Sequence, residues 1–193
     1  MIFKKLYDRV LVWAAHPRAT AYMAGLSFAE STFFPIPPDV MLVPMMLARP
    51  AQIWRLAFIC AAASVIGGLF GYVIGMWAFE WIEPWIQKLG YAAAFANAIE
   101  AFDRWGFWFI LAAGFSPIPY KIFTIASGVA GMPLLPFFAG SVIGRGGRFF
   151  LEAVVIKLGG ESAADRLRGW VDRIGWLVVV VVVVAFVWMK WIR

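Results

Sequence analysis

From Leu56 to Phe79 the chain carries neither a charged residue nor a proline. No other feature narrows the possible folds so far. Spanning the hydrocarbon core of a bilayer takes about 20 apolar residues in a helix, with a range of about 17–25. In lipid every backbone N–H and C=O must be satisfied within the protein, so a lone apolar segment spans only as a helix. Composition extends this to the rest of the chain: 63% of residues are hydrophobic and 15% charged. Soluble domains hold about 45–50% apolar and about 25% charged residues. The sequence therefore describes an all-α integral membrane protein. Its net charge of +6 does not argue for a nucleic-acid partner. The Lys and Arg residues cluster beside apolar segments, as topology signals do.

Two further segments have spanning length, giving transmembrane helices over 53–79, 134–156 and 174–192. The last contains a run of valines that would suggest a strand in water; in lipid, helix wins. At the N-terminus, Phe3, Leu6, Val10 and Trp13 recur at helical spacing, with Lys4, Lys5, Asp8 and Arg9 opposite. That pattern predicts an interfacial amphipathic helix over 1–18, and its charges argue against a cleavable signal. Leu89, Phe95, Ile99 and Phe102 predict a second interfacial helix over 83–104. A surface segment and the C-terminal span occupy 159–193. Trp54, Trp81, Trp85, Trp105 and Trp191 suit the membrane–water interface.

Two apolar regions, 19–49 and 106–132, are broken by proline. The first contains Pro35, Pro37, Pro38 and Pro44, and the second Pro117 and Pro119. Each reads as two half-length helices hinged at a "PIP" centre. A helix of about 12–15 residues crosses only about half a bilayer at 1.5 Å per residue. Both regions are therefore read as re-entrant hairpins with Pro35, Pro37, Pro38, Pro117 and Pro119 at their tips. "FFPIPPDV" (33–40) and "FSPIPYKI" (115–122) align without a gap, setting Asp39 opposite Lys121. "SVIG" then recurs at 64–67 and 141–144. A hairpin followed by a span, twice in order, indicates an internal duplication within a core over 19–158. One crossing separates the copies, so the repeats are inverted, the arrangement of secondary transporters. Lys4, Lys5, Arg9, Arg18, Arg49, Arg55, Lys157, Arg166, Arg168 and Arg173 fall on one side, which predicts a cytoplasmic N-terminus.

Charged residues at membrane depth cost about 2.5–3.5 kcal/mol each on insertion scales. Glu30, Asp39, Lys121, Arg145 and Arg148 are placed there. Internal salt bridges, Asp39 with Lys121 and Glu30 with an arginine, are the structural reading. Against it, three cations face two carboxylates, and an anion would balance the surplus. Arg145 and Arg148 lie three apart on one helix and could fork a phosphate, with Lys121 adding a point charge. Glu30 and Asp39 are then candidates for proton coupling. Gly67, Gly71 and Gly75, and Gly140 and Gly144, are spaced for close helix packing in lipid. Ser31, Ser116 and Ser127 lack the histidine–carboxylate partners of a nucleophile. His16 and Cys60 are single residues of their kind; a metal site needs several ligands. No catalytic residue, metal or cofactor is expected, and the chain is not read as an enzyme.

The stretches "FAESTFFPIPPD" and "AGFSPIPYKIFTIASGVAGM" resemble the DedA family, also called the VTT or SNARE-associated Golgi family, and within it the YqaA-type members. The resemblance runs over roughly residues 20–160. It implies two re-entrant hairpins and movement of lipids across a bacterial inner membrane, with proton coupling in some members. Implied cargoes are polyprenyl phosphate carriers and phospholipids. The family's acidic pair falls on Glu30 and Asp39. Of its arginine–proline–arginine pattern, the first position is Gly114 here, and Lys121 stands near the second. The expected function is a flippase-like transporter of an anionic phosphate-bearing lipid. An uncoupled phospholipid scramblase, and a structural membrane protein supporting envelope integrity or division, stay open beside it. Membrane lipids and protons are the expected partners, and a homo-oligomer is compatible with the sequence.

Overall fold

The computed structural model describes residues 16, 18–90, 92–116 and 119–160. The segment over 1–15, the tip residue Pro117 and the C-terminal region from 161 lie outside them, and with them the expected N-terminal interfacial helix and C-terminal span. Among the described residues there are only helices and their connections. They are α1 (Ala19–Thr32), α2 (Asp39–Ala48), α3 (Ile53–Lys88), α4 (Ala92–Phe115), α5 (Tyr120–Val129) and α6 (134–160).

The breaks follow from local chemistry. The N–H groups of Phe33 and Phe34 both donate to the Ala29 carbonyl, closing the end of α1. Pro35, Pro37 and Pro38 have no N–H to continue the ladder. Pro38 precedes α2, and Asp39 places its charge in the first turn, where the helix dipole favours an anion. Arg49 precedes a proline, which disfavours helical backbone, and α2 stops there. A single 3₁₀ turn over Pro50–Gln52 leads into α3. At the far end of α5, Met132 N–H reaches Ser127 O and Gly131 N–H reaches Gly128 O. That double closure requires a left-handed residue, supplied by Gly131 at φ +66°.

Two element boundaries differ from the sequence reading. α3 continues past 79, through Pro84, to Lys88. The interfacial helix expected over 83–104 is not one element: a turn at Leu89 and Gly90, with Gly90 at φ +75°, divides it. Its second part belongs to α4, which runs unbroken to Phe115. Gly106 lies inside α4 against Met132 and does not break it. Among the described residues, one helix, Pro50–Trp81, is long and apolar enough to cross a membrane. α6 is long enough but carries Arg145, Arg148, Glu152 and Lys157.

Helices α3 and α6 run antiparallel. Trp54 near the start of α3 stacks on Phe150 late in α6, and Tyr72, about five turns further along α3, meets Phe137 early in α6. Two apolar clusters result. One joins Met23, Leu42, Met45, Leu56 and Phe149; the other joins Tyr72, Ile110, Tyr120, Met132 and Phe137. Along each long helix a polar residue separates them, Ser64 on α3 and Arg145 on α6.

Glycines let these helices touch. A Cβ at Gly67 would strike the Phe28 carbonyl of α1, and one at Gly144 the Leu111 carbonyl of α4. Each "SVIG" glycine thus packs on the helix that precedes a proline turn, Gly67 on α1 and Gly144 on α4. Gly71 and Gly75 meet Thr124 and Ile125 of α5, and Gly140 meets Phe107 of α4. Close backbone approach of this kind replaces the hydrophobic drive that lipid does not supply.

Candidate functional site

The turn between α1 and α2 and the turn before α5 come together over a cavity of about 270 Å³. Glu30, Pro35, Pro37, Pro38, Pro119, Lys121, Arg145 and Arg148 line it. Three helices and the two proline turns contribute. Glu30 sits in the last turn of α1, Lys121 in the first turn of α5, and Arg145 and Arg148 one turn apart on α6.

Arg145 is the most enclosed of these charges, its side chain 2% exposed. Its Nη2 donates to Glu30 Oε2 at 2.7 Å, and its Nε donates to the Ser64 hydroxyl. The Tyr120 and Phe149 rings lie 5.0 Å and 4.9 Å from the guanidinium carbon, within reach of cation–π attraction. Ser64 and Ser31 share a hydrogen bond of 2.7 Å, and Ser31 donates to the Ser27 carbonyl. On the other side Tyr120 donates to Ser141 at 2.6 Å. The two "SVIG" serines therefore anchor the site from α3 and from α6.

Arg148 ties the two proline turns. It donates to Asp39 Oδ2 at 2.5 Å on the first and to the Ser116 carbonyl at 3.3 Å on the second. This corrects the expected pairing of Asp39 with Lys121. Lys121 Nζ donates instead to the Phe34 carbonyl at 2.9 Å. The reason is local: in a continuing helix that carbonyl would accept from the residue four along, which is Pro38 and has no N–H. The expected surplus of positive charge also needs correction. Glu152, one turn beyond Arg148, is 6% exposed, so three carboxylates accompany the three cations. The imbalance survives only in the cavity lining, where three cations face Glu30.

The structure thus gathers Glu30, Lys121, Arg145 and Arg148 at one cavity with four described tip prolines, and places Asp39 against Arg148. Sequence reasoning missed Ser64, Tyr120 and Glu152. The repeated "SVIG" pointed to Ser64, and Glu152 follows Arg148 at helical spacing; Tyr120 had no signal of its own. Gly114, where the resemblance calls for arginine, lies against the α6 backbone, where a Cβ would be 3.2 Å from the Arg145 nitrogen. A long side chain there would push α4 off α6. Among the described residues no cluster of His, Cys, Asp and Glu is arranged to hold a metal.

Helices alone among the described residues, one of them long and apolar enough to cross a membrane, with a charged cavity beneath two proline turns, are compatible with a class, the helical membrane proteins with broken helices at a polar site. Comparison gives the particular family. The VTT domain matches residues 36–158, and the chain belongs to this family, the DedA family. An uncharacterized protein of Haemophilus influenzae is 45% identical over 189 residues, covering 98% of both chains. An uncharacterized homologue from Histophilus somni is 44% identical over 189 residues, covering 98% of this chain and 99% of its own. No solved structure matches.

Proposed function

We propose that this chain is a flippase-like transporter of a bacterial inner membrane, moving an anionic phosphate-bearing lipid such as a polyprenyl phosphate or a phospholipid. The observation that carries the reading is the convergence of both proline turns and three cations on one cavity. Lys121 is its most available cation, since its described bond goes to a neutral carbonyl, whereas each arginine engages a carboxylate. A charge-assisted bond to phosphate is stronger than one to a carbonyl. The antiparallel course of α3 and α6 supports inverted repeats in a multi-pass core over 19–158, with 19–49 and 106–132 re-entrant and the N-terminus cytoplasmic. Proton coupling would run through Glu30 and Asp39, whose arginine partners the phosphate would also engage. The chain is then a carrier and not an enzyme.

The test is movement of a fluorescent phosphate-bearing lipid in proteoliposomes, read by quenching of the outer leaflet. Wild type moves it, and Lys121→Ala slows movement at least tenfold. Movement unaffected by collapsing the proton gradient would make the protein an uncoupled scramblase. The two intramolecular ion pairs favour a second reading, a structural membrane protein; absence of movement of any lipid would establish it over transport.

A further inference from the structure

The geometry points to a binding groove for the hydrocarbon chain of the lipid whose phosphate occupies the charged cavity. The inference rests on the transport reading and adds where the tail lies. An apolar groove of about 420 Å³ runs between α4 and α5, bounded by Phe95, Ile99 and Phe102 on one side and Ile122, Ile125 and Val129 on the other. Its volume falls in the range of about 300–1,000 Å³ usual for small-molecule sites. Lys121, in the cavity lining, is followed on α5 by Ile122 and, one turn on, by Ile125. From Ile122 to Val129 the groove wall extends about 10 Å at 1.5 Å per residue. Along α5 a cavity-lining cation is thus followed directly by the first groove-lining residue, an order that complements a lipid with an anionic head and an extended chain.

The larger groove, about 620 Å³ between α3 and α6, does not serve the same cavity. Arg145, bonded to Ser64 across these two helices and 2% exposed, closes the way between them. Ile143 and Phe150, which line that groove, also lie on the opposite side of α6 from the cavity-lining Arg145 and Arg148.

The test uses the full chain in phosphatidylcholine nanodiscs holding a trace of phosphatidic acid with a diazirine in one acyl chain. After irradiation, labelled residues are mapped by mass spectrometry. The expected result is labelling within 95–102 and 122–129, at least fivefold above that from phosphatidylcholine bearing the same chain. Lys121→Ala should abolish the excess. Equal labelling by both lipids, labelling confined to the α3/α6 groove, or an excess indifferent to Lys121→Ala overturns the proposal. In the transport assay, Ala98→Phe and Ala126→Phe, which fill the groove, should slow movement at least tenfold, with Ala62→Phe in the other groove as control. Lys121-dependent movement at full rate in both filled variants would remove the tail site and leave the transporter standing. Headgroup-dependent crosslinking without movement by wild type would keep the tail site and remove the transporter.

Discussion

Arg145 shows at the scale of one residue how a charge is held at depth. Its guanidinium is enclosed by Glu30, Ser64 and two aromatic rings. Truncating one partner of such a pair leaves the other charge buried, at a cost of about 3–5 kcal/mol. Arg145→Met should therefore lower unfolding stability in detergent by about that amount, and Glu30→Gln added to it should restore most of the loss. If the double variant were no more stable than the single one, the pair would not be the source of the penalty. Ser64→Ala should cost about 1–3 kcal/mol in the same assay, because it strips the Arg145 Nε of its acceptor. That Glu30 meets an arginine was legible in the sequence; that Asp39 meets Arg148 and not Lys121 was not. An ungapped alignment of two stretches says which positions correspond, and contact depends on how the helices that carry them are docked.

At the scale of elements, glycine shows the difference between local and tertiary information. Gly25 and Gly75 are both inside helices and look alike in sequence. A Cβ at Gly25 meets nothing within 4 Å, whereas one at Gly75 would overlap the Ile125 carbonyl of α5. Gly25→Ala is expected to stabilise by about 0.5–1 kcal/mol through helix propensity. Gly75→Ala should destabilise by about 1–3 kcal/mol, since backbone must shift to admit it. Thermal unfolding in one detergent compares the two, and equal effects would refute the packing account. Three of the four expected half-helices, α1, α2 and α5, were legible because proline acts within its own turn; the fourth, the first arm of 106–132, is the end of the 24-residue α4. The end of α3 and the continuous α4 were not, because amphipathic spacing marks a face and carries no information about where a helix stops.

For the whole molecule the decisive relation is that both turns share a cavity. With Cys60 buried and the single cysteine of the chain, Cys60→Ala gives a clean background. Cysteines at Pro35 and Pro119 should be joined by a short bismaleimide within one chain, independent of dilution. Absence of the linked product would separate the tips. The proposed inversion makes a second prediction: in oriented membranes a thiol reagent reaches Ala51→Cys from the cytoplasmic face and Leu89→Cys from the opposite face. Labelling of both from one side would end the inverted-repeat reading.

What the sequence determined by itself was the material of the fold: helices demanded by apolar composition, breaks demanded by proline, and a set of charges too costly to be incidental. Those follow from interactions within a turn or from the solvent, and both can be read along a chain. The tertiary structure alone decided which charge faces which, that Lys121 takes the carbonyl Pro38 leaves unserved, and that Glu152 joins the buried set. These depend on the docking of α1, α5 and α6 against α3, and the close approach of backbones that sets it is a property of surfaces, which no spacing in one dimension encodes.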